Sequence, residues 1–248
     1  MATSLSPLGP DSFAGQTVLV TGAAGGIGRS VAALLGALGA RLVLCDAVPE
    51  ARTADVNRGV PGVHSIHQLD VSSRQATQAM ARAVGAIDVL TDTAGICPRD
   101  DWMDEDWDAT FDRVINVNVR GPINLARAFM PGMVERKYGR IVLCGSLAGW
   151  TGGLRASAHY AAAKGGVHAL VRWLAVRATP HGVCVNGVAP GPVASAMTDG
   201  QGYVPADYPM NRLGSPEEIA ALIAFLSSRS CGYMAGSVVD VNGGVHLR

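Results

Sequence analysis

A single turn limits the folds open to this chain. Thr17-Val18-Leu19-Val20 reads as a short apolar strand. It runs into Thr21-Gly22-Ala23-Ala24-Gly25-Gly26-Ile27-Gly28, and an Ala/Leu-rich helix over Arg29 to Ala40 follows at once. Glycines there permit a tight turn and close approach to the backbone. A helix N-terminus just beyond offers unpaired N–H groups and a partial positive charge, which suits a phosphate. Gly-rich turns occur in many kinds of loop. The position between the first strand and the first helix sets this one apart.

The rest of the chain repeats the alternation. Strands are expected at Arg41 to Cys45, Val63 to Leu69, Ile87 to Thr91, Arg140 to Cys144, Val183 to Val188 and Ser237 to Val241. Helices are expected over Ser73 to Val84, Asp106 to Arg136 with an interruption near Gly121-Pro122, Ser157 to Ala178, and Pro216 to Leu226. This order predicts an α/β chain. It is a single Rossmann-type domain over 1–248, a central parallel sheet of about seven strands with helices on both faces. Ligands of such sheets bind beyond the carboxyl ends of the strands. Residues 1–14 are expected to form a flexible N-terminus. Val193 to Arg212, rich in Gly, Pro, Ser and Asp, reads as a substrate lid or equally as an ordinary surface loop.

Composition narrows the class. Hydrophobic residues are 48% of the 248 and charged residues 16%, which argues against disorder and for a core that needs no disulfides. Twenty basic and twenty acidic residues cancel, so no basic field favours nucleic acid or an anionic membrane. No run is long enough to span a bilayer, and Met1 to Asp11 lacks the pattern of a signal peptide. The five cysteines are scattered without CxxC pairing and read as reduced, which suits the cytoplasm. No cluster of His, Cys and acids suggests a metal.

Asp46 ends the second strand, eighteen residues after Gly28. A carboxylate there can accept hydrogen bonds from both adenosine ribose hydroxyls and would repel a 2′-phosphate. No basic residue stands in the glycine turn before Gly26 or just after Asp46, so NAD(H) is expected over NADP(H). The plainer reading is that Asp46 caps a strand end. Asp70, at the end of the third strand, is placed to reach the adenine.

Tyr160-Ala161-Ala162-Ala163-Lys164 sets Tyr and Lys four apart, on one face of a helix. An ammonium near a phenol favours the phenolate, which would let Tyr160 act as acid or base for a ketone or alcohol. Tyr and Lys are common on helices, so the pair alone says little. Ser146 ends the fifth strand at the same edge, where a hydroxyl can bond a substrate oxygen. Asn118 lies inside a helical run at a cost in propensity, although a solvent-facing Asn is the plainer reading.

Together these residues resemble the short-chain dehydrogenase/reductases along nearly the whole chain. The glycine turn, Asp46, Asp70, Asn118, Ser146, Tyr160, Lys164, Pro190-Gly191 and Asp240-Val241-Asn242-Gly243-Gly244 fall in family order and spacing. The resemblance implies that Tyr160 is the acid/base, and that Lys164 lowers its pKa and holds the nicotinamide ribose. It implies that Ser146 orients the substrate oxygen. Asn118, in a helix kink, would anchor a water through which protons reach solvent. It also implies cofactor contacts from Gly22, Gly26, Ile27, Gly28, Asp70, Val71, Ala94, Gly95, Pro190, Gly191 and Val193. Ser195 stands where the family usually has Thr and keeps the hydroxyl. One departure is clear: Asp92-Thr93-Ala94-Gly95 replaces the usual Asn-Asn-Ala-Gly, which puts the side-chain bracing of the sheet in question.

The expected substrate is a small secondary alcohol or its ketone. Its walls are expected from Ile96, Cys97, Leu147, Ala148, Trp150, Met197 and Tyr203. Arg155 could meet an acidic substrate group, although a solvated arginine is the plainer reading, and His159 is expected to be structural. Three alternatives stay open: a 3-oxoacyl thioester reductase, a sugar or polyol dehydrogenase, and an NAD-sensing protein without turnover. The resemblance implies a homotetramer through the helices at Asp108–Arg136 and Ser157–Ala178 and the C-terminal strand.

Overall fold

The computed structural model describes residues 8–153 and 155–247. Seven strands form one parallel sheet: β1 (Thr17–Thr21), β2 (Arg41–Asp46), β3 (Val63–Gln68), β4 (Val89–Asp92), β5 (Gly139–Cys144), β6 (Val183–Pro190) and β7 (Val238–Val241). Their order is β3-β2-β1-β4-β5-β6-β7. Connections run outward on opposite sides of β1 and β4, so the strand order reverses between them. A crevice opens at the carboxyl ends of the strands at such a reversal.

Side-chain alternation divides the core into two layers. Val18 and Val20 pack with Val31, Leu35, Ile219 and Ile223 from α1 (Gly26–Ala37) and α8 (Pro216–Ser227). Leu19 points the other way. It joins Met80 of α3 (Arg74–Val84), Leu125 and Phe129 of α5 (Gly121–Glu135), and Val171 of α7 (Ala158–Ala178). Val18, Leu19 and Val20 are all fully buried, each contributing about 1.5–3 kcal/mol of apolar burial. The sheet is therefore covered on both faces.

Several helix ends are written locally. Ser73 accepts from the Ala76 amide at the start of α3. Ser215 and Glu218 form a reciprocal capping box ahead of α8, with Pro216 at its first position.

The structure departs from the sequence expectations at five places. Helix α1 begins at Gly26, inside the glycine turn, and ends at Ala37 rather than spanning Arg29 to Ala40. Helix α2 (Glu50–Val56) was not anticipated; Thr53 is its one buried residue, so it carries no apolar period. The short α6 (Ala148–Thr151) was also missed. The break in the long helical region is a π-helical turn over Asn116–Arg120, between α4 (Trp107–Ile115) and α5. Gly121-Pro122 opens α5 directly after that turn, and the Gly121 amide donates back to the Asn116 carbonyl. Lastly, Phe13 is fully buried and its amide donates to the Leu38 carbonyl, so the segment expected to be flexible is anchored to the fold at Phe13. The first seven residues of that segment lie outside the described residues.

Among the described residues no helix is long and apolar enough to cross a membrane, and no group of three His, Cys, Asp or Glu could hold a metal. All five cysteines are free thiols.

Candidate active site

The cofactor-facing half is built from strand ends and backbone. Helix α1 has no side-chain cap and no acidic residue in its first turn. Its orphan amides and positive end therefore remain available to an anion. A Cβ on Gly28 would lie 2.1 Å from the Gly22 carbonyl oxygen, so only glycine lets the turn and the helix close together. Asp46 is the last residue of β2. Its Oδ2 accepts from the Ala24 amide at 2.9 Å and its Oδ1 from Val48 at 3.2 Å, which aims the carboxylate into the turn. Ser195 reaches the other flank: its Cβ lies 3.3 Å from where a Cβ on Gly26 would be. These features fit a dinucleotide, with pyrophosphate on the α1 amides and ribose at Asp46.

The departure at Asp92-Thr93 does not unbrace the sheet. Thr21 Oγ1 donates to Asp92 Oδ1 at 2.5 Å, and Thr93 Oγ1 donates to the Thr21 carbonyl at 2.6 Å. The Ala94 amide donates to the same Asp92 oxygen at 3.3 Å. Burial raises the Asp92 carboxyl above its ordinary range, against the pull of Thr21, Lys164 and the Ala94 amide.

Asp70 lies two residues beyond the end of β3, and its exposed carboxylate accepts from the Ser72 amide at 2.9 Å. Val71 is buried, and its carbonyl accepts from Asn124 at 3.0 Å. Pro190 ends β6, and the Gly191 amide donates to Val241 at 2.9 Å. Val193 is buried and forms an isolated bridge with Gly214, which ties the start of the 193–212 segment to the fold.

Three chemically able side chains meet beside this crevice. Tyr160 and Lys164 lie on successive turns of α7, with the Lys164 ammonium 5.6 Å from the Tyr160 ring centroid. The Ser146 hydroxyl, just past β5, is near enough to Tyr160 to draw the pKa of its phenol down. It also accepts from the Ala148 amide at 3.1 Å. Lys164 is buried and donates to the Cys144 carbonyl at 2.8 Å. Gly95 closes the group, since a Cβ there would be 2.9 Å from Asn118 Oδ1 and 3.3 Å from Lys164 Nζ.

The expected lowering of the Tyr160 pKa is not met in this arrangement. Burial pushes the phenol above its ordinary value. Cys97 and Cys144 push the same way, and the Ser146 hydroxyl opposes them. One N–H of the Lys164 ammonium is held by the Cys144 carbonyl.

Asn118 is buried in the π-helical turn rather than facing solvent. Its Oδ1 accepts from the Ile96 amide at 3.0 Å and its Nδ2 donates to the Ile96 carbonyl at 2.8 Å. The carboxamide thus pins the strand-end segment that carries Ile96 and Cys97.

One expected wall residue is elsewhere. The Trp150 indole donates to Asp240 at 3.0 Å, and its ring lies 4.1 Å from that of His168. It fills the seam between α7 and β7 and does not wall the substrate space. His168 in turn accepts from the Ser146 amide at 3.4 Å. His159 is structural, as expected: its Nε2 meets Asp100 at 2.9 Å and its ring stacks on Trp107. Ala148 is buried beside Ser146, whereas Met197 is 47% exposed on the 193–212 segment. A cavity of about 610 Å³ is lined by that segment, including Ser195, Thr198 and Tyr203. Arg99 was missed by the sequence reading. Its signal was its place in the loop after Gly95-Ile96-Cys97.

The chain was compared with known proteins. The family model described as "Enoyl-(Acyl carrier protein) reductase" matches residues 22–246. An acetoacetyl-CoA reductase of Allochromatium vinosum is 38% identical over 245 residues, covering 94% of this chain and 99% of that one. A galactitol 2-dehydrogenase (L-tagatose-forming) of Cereibacter sphaeroides is 36% identical over 241 residues, covering 93% and 94%. A 3-oxoacyl-[acyl-carrier protein] reductase of Brucella melitensis, solved with bound NAD, superposes with a TM-score of 0.86 at 32% identity. That match covers 100% of this chain and 98% of the other.

Proposed function

The chain belongs to the short-chain dehydrogenase/reductase family, and on that premise we propose that it is an NAD(H)-dependent enzyme interconverting a secondary alcohol and a ketone. The observation that carries the proposal is the meeting of Ser146, Tyr160 and Lys164 beside the crevice that Gly28 and Asp46 shape. When bound, the nicotinamide supplies the hydride acceptor, or in its reduced form the donor.

The protein's own groups handle position and proton. Ser146 bonds the substrate oxygen and holds it against the phenol. Tyr160 takes the hydroxyl proton of an alcohol or gives one to a ketone. The Lys164 ammonium offsets the charge when the proton leaves the phenol. Asn118 fixes Ile96, and the π-helical turn that carries it is the candidate anchor for a proton-relay water.

NAD(H) is favoured because Asp46 faces the ribose position with Ala47 and Val48 after it, so a 2′-phosphate would meet a carboxylate and no cation. A 3-oxoacyl thioester reductase is the second reading, favoured by the relatives' names. A sugar or polyol oxidation is favoured by the galactitol relative. Assembly of four chains is proposed through α7, where Trp173 and Val176 are 53% and 74% exposed. Light scattering that finds a monomer would dismiss it.

The test is NADH formation from NAD⁺ over a panel of secondary alcohols, with NADP⁺ in parallel. Turnover with NAD⁺ is expected, and Tyr160→Phe should lower kcat by about 10²–10⁴ while NADH still binds. Full turnover in Tyr160→Phe would remove the phenol from the mechanism.

A further inference from the structure

Two guanidinium groups stand at the mouth of the site without a carboxylate to hold them. Arg99 lies in the loop between β4 and α4, and Arg155 in the loop between α6 and α7. Both converge on one ring of the 193–212 segment. The Arg99 guanidinium carbon is 5.5 Å from the Tyr203 centroid and that of Arg155 is 5.6 Å away. Arg99 also donates to the Gln201 carbonyl at 3.2 Å, and Arg155 lies close enough to Tyr208 to draw the pKa of its phenol down. Tyr208 stacks on Tyr203 with centroids 6.4 Å apart.

Among the described residues, the ion pairs are Arg58–Asp55, His159–Asp100 and Arg212–Glu218. Neither Arg99 nor Arg155 takes part. Asp100, adjacent to Arg99 in sequence, is committed to His159. Two like charges drawn to one aromatic ring repel each other until an anion comes between them.

The same ring borders the chemistry. Tyr203 is near enough to Tyr160 to add to the rise of its phenol, after burial and two cysteines. The loop that carries Arg99 is tied to the start of α7: Ser157, three residues before Tyr160, donates to the Pro98 carbonyl at 2.8 Å. Tyr203 also lines the cavity of about 610 Å³ that Ser195 borders.

We propose that Arg99 and Arg155, braced on Tyr203, bind an oxyanion carried by the substrate at the end remote from its reacting carbon. Stacking on the ring holds each guanidinium plane and leaves N–H edges free, and that fork matches two oxygens of a carboxylate or phosphate. The proposal rests on the alcohol/ketone reading of the site and adds a charge to its substrate.

The experiment compares charged and uncharged partners of one skeleton. Hydroxy acids with the hydroxyl two to five carbons from the carboxylate are run against their methyl esters. Acetoacetyl-phosphopantetheine is run against the same acetoacetyl-pantetheine thioester without its phosphate. The wild type should prefer the charged member of at least one pair in kcat/KM. Arg99→Gln and Arg155→Gln should each cut that preference about 10–100-fold, the range for a hydrogen bond to a charged group.

Preference within the acid–ester pairs assigns a carboxylate, and preference within the thioester pair assigns a phosphate. Equal use of both members throughout, or a preference that neither arginine variant changes, overturns the proposal. The same pairs are tested for binding to the NADH-loaded protein by thermal shift, so the result does not depend on turnover. Charge-independent binding there also overturns it. Tyr160→Phe separates the two readings. Retained turnover in that variant removes the proton-transfer assignment, whereas the charge preference is read from the arginine variants and from binding.

Discussion

The two halves of the site are built differently. On the cofactor side, side chains and amides bond to the nearest strand end: Asp46 to Ala24, Thr21 to Asp92, Thr93 to Thr21. Each contact spans two adjacent strands or one turn. On the substrate side, Arg99, Arg155 and Tyr203 come from three separate loops and meet through ring faces at more than 5 Å. Short hydrogen bonds between neighbouring backbone segments tolerate little change. Contacts between long side chains on loops can be exchanged without disturbing the sheet. The first half suits an invariant ligand and the second a selectable one.

Four substitutions would break or sharpen that contrast. Gly28→Ala should have the largest effect, because its Cβ would lie 2.1 Å from a backbone oxygen that no rotamer can move. We expect NADH affinity to fall by about 100-fold or more, equivalent to ~2.8 kcal/mol, by fluorescence titration. Unchanged affinity would show that the turn has slack.

Asp46→Ser should follow. It removes the carboxylate from the ribose position and should raise the NADP⁺ to NAD⁺ ratio of kcat/KM by about 10–100-fold. A ratio that stays put would separate Asp46 from cofactor choice and leave it as a brace for Ala24.

Tyr203→Ala should act only on the substrate side. KM for the best substrate should rise about 3–10-fold, a loss of ~0.7–1.4 kcal/mol, with the NADH dissociation constant unchanged. A parallel loss of NADH affinity would mean that the two halves are coupled.

Asp92→Asn should have the smallest effect and an informative pH dependence. Burial raises the Asp92 carboxyl, with Thr21, Lys164 and Ala94 opposing. The folded state therefore holds the proton more tightly than the unfolded chain. Stability is lost as pH rises from the ordinary carboxylate range through the raised value. Asn at this position has no such loss. At pH 7 its Tm should exceed the wild type's by about 2–4 °C, ~1 kcal/mol for a chain of this length. That gap should close as pH falls toward about 4. A gap independent of pH would place the effect in packing instead.

What could be read ahead of the structure follows the same division. The central strands were legible because both faces are buried, so they appear as apolar runs such as Val18-Leu19-Val20. Helix α2 was not, because Thr53 is its one buried residue and it shows no apolar period. The sequence shows an interruption of the long helix near Gly121-Pro122, because a proline is the visible breaker. The actual change of pitch lies upstream, where Asn118 is held by Ile96. Trp150 was assigned to the pocket from its distance past Ser146 along the chain. A residue six positions beyond a strand can turn to either side, and here Asp240 and His168 hold it.

The sequence by itself determined the sheet, the glycine turn with Asp46, and the pairing of Tyr160 with Lys164. Those rest on period, spacing and chain order, which are one-dimensional properties. Only the tertiary structure decided that Lys164 bonds the Cys144 carbonyl and that burial raises Tyr160. It also decided that two distant arginines share the ring of Tyr203. Burial and charge depend on what packs around a group from every direction, and those neighbours are up to about a hundred residues away along the chain.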